Sequence, residues 1–464
     1  MKTYFFGVSV IYLVIDLILL KCRYIATFNT REEILENAYI GIDEKSGKIE
    51  YIGKEKPQKP YDEVIELNKH VVMPSFINAH THVPMVLLRG LKDDVDLHTW
   101  LNKYIFPAED RLKATDIYYG ALQGIAELIE SGTSLFIDMY FYEEEIAKAV
   151  MESGVRAILS RGVLDITENR TPETEVKKTL DFLAFLERMW SSNLETRDRI
   201  FFALGPHAPY TCSRELLILM REKAEELKKK LNNVWINIHV AETRNEFEDF
   251  LEKTGKSPVS YLDSIGFLGS DVLSIHTIWV RDEDLAVLAK NKVIVVHNPS
   301  SNLKLGSGIA PVPKMLEKGI RVLIGTDSAA SNNRLDILSE ARLAALLHKG
   351  ITGNPAILPA KKILRMLTID AAKALGLDGL LGSIEVGKQA DLVIFNIKKT
   401  LQAYPFHDIY SLIIYSLDLR AVEKVMVKGR WVYDNGQFLT IKNIEKILER
   451  NAETRRRIED ELGI

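Results

Sequence analysis

Ten histidines occur in this 464-residue chain, and they are not placed evenly. His80 and His82 stand in Asn78-Ala79-His80-Thr81-His82. On an extended strand residues i and i+2 face the same side, so both imidazoles can reach one divalent ion. The pair alone is a weak signal, because two exposed or core-satisfied histidines would read the same way. His207, His239, His276 and His297 each stand at or just past the end of another apolar run. Two acids accompany them: Glu242, three residues after His239, and Asp327 in Gly325-Thr326-Asp327-Ser328. Singly, Glu242 reads as an exposed loop acid and His276 as a satisfied core histidine. At equivalent ends of different runs they read differently. Histidines and an aspartate then make an incomplete metal shell whose open position water can fill, which is the arrangement of a hydrolytic centre. Only two cysteines are present, Cys22 and Cys212. That excludes a disulfide scaffold and a thiolate zinc site of the P-C-x-x-C kind.

Such a centre needs a scaffold that brings many strand ends to one place. Eight strand-like apolar runs, 71–78, 134–140, 156–163, 199–205, 234–239, 272–276, 293–297 and 321–325, alternate with amphipathic helical stretches. Residues 215–231 are one such stretch, with Leu216, Leu219, Met220 and Leu227 on a single stripe. Eight buried strands separated by helices predict an α/β fold whose parallel sheet closes as a (β/α)8 TIM barrel. In such barrels the active residues lie at the C-terminal ends of the strands. Short strands and turns fill 17–70 and return at 390–396, 422–427 and 431–433. The flanks are therefore expected to meet as a small composite β-sandwich domain built from both chain ends. The predicted organisation is an extension over 1–16, β domain over 17–70, hydrolase barrel over 71–380, the rest of the β domain over 381–440, and a C-terminal helix over 441–464.

Residues 4–20 are apolar apart from Ser9 and Asp16. No small-x-small cleavage site follows them, which argues against a signal peptide. A span of only 17 residues is short for a bilayer, and an acid such as Asp16 costs about 2.5–3.5 kcal/mol at mid-membrane. The expectation is an extension ahead of a first strand, in a cytoplasmic protein that does not engage a membrane. Hydrophobic residues are 47% and charged residues 27%, a balance that excludes disorder and a multi-span membrane protein. Sixty basic against 64 acidic residues leave a net charge of −4, so no nucleic-acid partner is expected.

The ordered motifs resemble the amidohydrolase superfamily, and within it the 5′-methylthioadenosine/S-adenosylhomocysteine deaminase branch, akin to the triazine chlorohydrolases. They are Met73-Pro74-Ser75-Phe76-Ile77-Asn78-Ala79-His80-Thr81-His82, Arg89-Gly90-Leu91, Gly205-Pro206-His207-Ala208-Pro209-Tyr210 and His239-Val240-Ala241-Glu242-Thr243. His297-Asn298-Pro299-Ser300-Ser301-Asn302-Leu303-Lys304-Leu305-Gly306 and Gly325-Thr326-Asp327-Ser328 continue the set, and Gly387-Lys388-Gln389-Ala390-Asp391 matches the return to the β domain. The resemblance implies a metal on His80, His82, His239 and Asp327, with Glu242, His276 and Asp327 catalytic. It also implies that Glu109 accepts the ribose hydroxyls, His207 faces the purine and Arg161 meets a homocysteine carboxylate, with Glu242 and Asp327 also touching substrate. Binuclear relatives carry a carboxylated lysine on the fourth strand; here 200–205 has none, so one divalent ion per chain is expected. Zinc is the first choice, with iron, nickel or manganese compatible with a mixed His/Asp shell.

The implied reaction is hydrolytic deamination of a 5′-substituted adenosine, with a nucleoside as the small-molecule partner and a homo-oligomer as the expected assembly. Guanine or cytosine deamination, and triazine amino- or chlorohydrolysis, fit the same scaffold. A catalytically silent metal-binding barrel is the alternative outside enzymes, and the intact set of Glu242, His276 and Asp327 argues against it. Thr277 and Ser328 depart from the residues that many relatives carry there, which leaves pocket details open without removing a proposed ligand or acid.

Overall fold

The computed structural model describes residues 2–6, 9–13, 16–166 and 170–463. Eight strands run parallel in sequence order: β1 (Phe76–Thr81), β2 (Thr133–Tyr140), β3 (Arg156–Val163), β4 (Ile200–Pro206), β5 (Trp235–Val240), β6 (Val272–His276), β7 (Ile294–His297) and β8 (Arg321–Ile324). The ring closes where Thr81 bridges Asp327 in parallel register and the Asp327 N–H donates to the His80 carbonyl at 3.0 Å. The fold is therefore a TIM barrel with a separate β domain. Ile77, Ala79, Leu135, Ile137, Ile158, Ala203, Leu273 and Val296 fill the barrel interior. Residues between them, such as Phe136, Leu159 and Phe202, pack outward under the helices. This alternation is the period of a pleated strand buried on both faces. Ala371, Ala372 and Leu375 join the interior cluster and plug the barrel floor, beside the bond from the Ile77 N–H to the Leu367 carbonyl.

The second sheet has eight strands in the order Gln437–Phe438, Arg430–Asp434, Val422–Val427, Leu392–Asn396, Glu63–Pro74, Leu17–Ala26, Ile34–Asp43 and Lys48–Gly53. Both chain ends thus build it. It curls until its first-half edge meets the later chain, where Lys48 bridges Gln389 and the Ile49 N–H donates to the Lys388 carbonyl. Ile18, Leu20, Ile40, Ile42, Leu392, Ile394 and Met426 fill the space enclosed.

One run departs from expectation. Residues 71–78 are two strands: Val71–Pro74 end a strand of the β domain, and β1 starts at Phe76. At the joint the Ser75 N–H donates to the Asp391 carbonyl and the Phe76 N–H to Gly132. An apolar run fits either sheet equally well, so its composition carries no mark of the switch. At the other end, the Asp16 and Leu17 amides both donate to Asp62, so sheet bonding begins one residue ahead of Leu17. Of the expected extension, residues 1, 7, 8, 14 and 15 lie outside the described residues; Lys2–Phe6 and Ser9–Leu13 pair antiparallel as a two-stranded sheet of their own. Among the described residues no helix is long and apolar enough to cross a membrane.

Candidate active site

The histidines gather at the C-terminal mouth of the barrel. The β1–β2 ladder slips between Asn78 and Thr81, and such an irregularity re-aims side chains at a strand end. The His80 and His82 rings meet edge to face at 4.7 Å, and the His239 ring lies 5.1 Å from His80. Asp327, at the end of β8, sets Oδ1 3.6 Å from His80 Nε2 and 3.4 Å from His82 Nε2. Gly325 permits this approach: a Cβ there would lie 2.5 Å from Asn298 Oδ1 and 2.8 Å from the His80 nitrogen.

The donor atoms form two groups that share His80. One is His80, His239 and His276, the other His80, His82 and Asp327, each within 4.8 Å. The four residues expected as ligands all fall in these groups, and His276 falls in the first of them. Hydrogen bonding leaves the right nitrogens free. His82 Nδ1 meets the Met139 carbonyl and His239 Nδ1 the His207 carbonyl at 2.8 Å, so each Nε2 faces the centre. Both ring nitrogens of His80 are buried without a hydrogen-bond partner among the described residues. Burial, followed by the neighbouring histidines, holds His80 and His239 well below the usual imidazole range and therefore neutral. Neutral imidazoles beside a carboxylate, one of them with no other partner, suit a divalent cation.

Asp327 is held on both oxygens: Ser301 Oγ donates to Oδ2 at 2.6 Å and the Ser328 N–H to Oδ1 at 2.7 Å. Burial, then the Asp327 charge, pushes the Glu242 carboxyl well above the usual carboxylate range. His276 Nε2 lies 3.6 Å from Glu242 Oε2 and 3.9 Å from Asp327 Oδ2. One atom cluster thus holds two carboxyl groups and metal-capable nitrogens.

Above it lies a cavity of about 670 Å³. His82, His239, Glu242, His276 and Asp327 form its floor, while Glu109, Arg161 and His207 also line it; only His80 sits beneath. Glu109 comes from a short helix, Phe106–Glu109, following a π turn at Leu101–Ile105. Tyr140 Oη donates to Glu109 Oε1 at 2.8 Å, yet burial outweighs this bond and pushes the carboxyl up to about 7. His207 Nδ1 is 2.9 Å from Thr211 Oγ1, and burial first, then His82 and His276, brings its imidazole down to about 4. Arg161, at the mouth, has Nη1 3.5 Å from Glu144, and Arg170 lines the same mouth. Trp100, Phe141 and Leu164 supply apolar wall.

His297 is the strand-end histidine that does not join. It is buried and turned toward His348, with the two Nε2 atoms 3.3 Å apart. Several residues were not legible as site residues. Glu246 accepts from the Ala241 and Glu242 amides at 2.9 and 2.7 Å and so braces the Glu242 loop. Asp138 accepts from Thr81 Oγ1 at 2.6 Å and from the Val83 N–H at 2.7 Å, and burial brings it up to about 6. An acid near the end of the apolar run 134–140 was its available signal. Tyr140 at the end of that same run carried none.

Residues 71–432 match the amidohydrolase family. A 5-methylthioadenosine/S-adenosylhomocysteine deaminase of Thermococcus sibiricus is 45% identical over 89% of this chain and 93% of its own. A 5′-deoxyadenosine deaminase of Methanosarcina acetivorans is 43% identical, covering 93% of this chain and 96% of its own. A solved adenosine deaminase of Xanthomonas campestris with bound zinc superposes with a TM-score of 0.87 at 28% identity, over 96% of this chain and 98% of that one. The barrel with its composite β domain, the histidine-lined mouth and these extensive matches lead to one statement: the chain belongs to the amidohydrolase family.

Proposed function

We propose that this chain is a metal-dependent hydrolytic deaminase that converts 5′-substituted adenosines to the inosine analogues with release of ammonia. The observation that carries it is the meeting, in one cavity, of the histidine–Asp327–Glu242 cluster and Glu109 with Arg161 at the mouth. The names of the similar proteins from Thermococcus and Methanosarcina support the same substrate class. His80, His82, His239 and Asp327 would hold one ion, taken as zinc because the similar Xanthomonas enzyme has it bound. Bound there, such an ion would supply Lewis acidity, which lowers the pKa of water toward about 7. The absence of lysine from β4 supports one ion rather than two.

The side chains do the rest. His276 Nε2 and Asp327 Oδ2 orient the water against the ring carbon that bears the amino group, and Asp327 takes its proton. Glu242 gives its proton to the adjacent ring nitrogen as the new C–O bond forms, so charge does not accumulate in the ring. The proton on Asp327 then passes to the amino nitrogen, the C–N bond breaks and ammonia leaves, while the new hydroxyl returns its proton to Glu242 as the ring C=O forms. Glu109 accepts from the ribose hydroxyls. The Arg161 guanidinium offers a planar fork to a carboxylate on the 5′ substituent. A homo-oligomer in the cytoplasm completes this reading.

Ammonia release from a panel of adenosines, guanine and triazines tests it. Arg161→Ala should penalise S-adenosylhomocysteine at least tenfold more than methylthioadenosine or 5′-deoxyadenosine, the order expected for one charged hydrogen-bonded pair. Deamination of guanine or a triazine with no adenosine accepted would overturn the proposal.

A further inference from the structure

The motif His297–Gly306 gives the cavity only Leu305, yet the short helix Pro299–Lys304 within it lies directly behind the cluster. Ser301 holds Asp327, as described, and the next residue, Asn302, points at His276. Asn302 Oδ1 is 2.7 Å from His276 Nδ1, while Asn302 Nδ2 is buried with no hydrogen-bond partner among the described residues. The side-chain amide of Asn302 therefore spends its one polar contact on this imidazole. A leucine would fill the same space without burying an unpaired donor, so packing alone does not account for an asparagine here.

His276 needs such a restraint. It is fully buried, and its backbone and that of Thr277 are both left-handed, with φ of 68° and 50°. A non-glycine residue persists there only when its surroundings over-determine it. The ring must also present one particular nitrogen state to the cavity, and the state of Nε2 follows from what Nδ1 does.

We propose that Asn302 is a positioning residue that holds His276 in the Nδ1–H tautomer, so that Nε2 faces the reacting centre as a hydrogen-bond acceptor. The carbonyl oxygen of an amide can only accept, so a 2.7 Å contact to it places the proton on Nδ1. Nε2 then carries its lone pair toward Glu242 Oε2 at 3.6 Å and Asp327 Oδ2 at 3.9 Å, where a water proton would lie. Asn298 Nδ2 is 3.3 Å from the same Nδ1; a protonated Nδ1 leaves that longer contact unused. The opposite arrangement, in which Asn298 donates to a bare Nδ1, would send Nε2–H into the cavity and reverse the role of the ring. The role assigned to that acceptor rests on the deaminase reading; the tautomer does not.

The zinc-loaded, full-length enzyme distinguishes these cases. In enzyme labelled with 15N in its histidines, and with the His276 signals identified by their loss in His276→Asn, Nδ1 should show the shift of a protonated nitrogen. A protonated Nε2 would overturn the proposal, and this reading needs no substrate. Asn302→Leu should keep zinc content and KM within about twofold while kcat falls at least about hundredfold, the scale of a misplaced acid–base group. Asn302→Asp, which keeps the acceptor oxygen, should recover at least tenfold of that loss. In the His276→Asn background the Asn302→Leu change should cost nothing further. An additive loss, an Asp variant as poor as the Leu variant, or greater damage from Asn298→Ala than from Asn302→Leu would each refute it. If Asn302→Leu does not fold, Asn302→Ala takes its place under the same criteria. Wild-type enzyme with the expected 15N shifts but no activity on any adenosine would leave the tautomer standing and sink the deaminase reading instead.

Discussion

Glu242 and His239 share one cavity floor, yet they should fail in different ways when changed. Glu242 belongs to neither donor group; it lies 3.6 Å from His276 Nε2, and burial followed by the Asp327 charge raises its carboxyl well above the usual range. Glu242→Gln keeps shape and hydrogen-bonding capacity but has no proton to give. It should retain the ion and lose about a hundredfold or more in turnover, the usual contribution of a general acid. Near wild-type turnover in the metal-replete Gln variant would move the acid elsewhere. His239→Ala should lose the ion and the activity together, because its Nε2 is one of the few unpaired nitrogens aimed at the centre. Elemental analysis settles that difference, and two tightly held ions per wild-type chain would refute a mononuclear site.

Elements matter to this site through what they hold rather than through what they expose. The C-terminal helix Ile444–Leu462 docks on Ala114–Glu130, where Asn451 Nδ2 donates to the Tyr119 carbonyl at 3.0 Å and Arg457 pairs with Asp116 at 2.5 Å. Beneath that contact, Gly124 lets the same helix approach β1's exit, since a Cβ there would lie 2.5 Å from the Val83 carbonyl. The N-terminal pair Lys2–Phe6 and Ser9–Leu13 differs: its strand bonds are made within its own sheet. The large sheet instead starts from Asp16 and Leu17, clamped by Asp62 at 3.1 and 3.0 Å. Deleting residues 2–15 should therefore leave the urea midpoint unchanged and turnover within about twofold, because the first clamped amide is retained. A shortened chain that aggregates or loses activity would place structural weight on that pair.

At the scale of the molecule, a buried cation links the barrel to the β domain. Arg156, at the start of β3, pairs Nε with Asp391 Oδ2 at 2.8 Å and Nη2 with Oδ1 at 3.0 Å. Nη1 donates to the Asp198 carbonyl, and Nη2 also donates to Gln389 Oε1. Asp391 also accepts the Lys428 N–H at 2.8 Å, and its carbonyl accepts the Ser75 N–H where the chain passes from one sheet to the other. Removing one partner leaves the other charged and buried. Asp391→Ala should cost about 3–5 kcal/mol, read as a lowered urea midpoint, whereas Arg156→Met combined with Asp391→Leu should recover part of it. An unchanged midpoint in the single variant would show that the joint is held by apolar packing alone.

Local pattern was enough for much of this molecule. Alternation and run length identified the barrel strands, with bounds near those observed, because a strand buried on both faces must be apolar over its length. The strand-end positions of His80, His82, His239, Glu242, His276 and Asp327 followed from the same runs, since polar groups concentrate where a barrel opens to water. Glu109 and Arg161 were legible only through family resemblance; nothing in their own neighbourhood marks them, and only the folded chain brings them to one cavity wall. Tertiary structure alone decided where 71–78 divides, that His297 turns to His348, that Asn302 reaches His276 and that Arg156 finds Asp391 across 235 residues. The physical reason is common to all four. Periodicity records which face of an element is buried, a local property; which partner satisfies a buried polar group depends on what the rest of the chain brings alongside it.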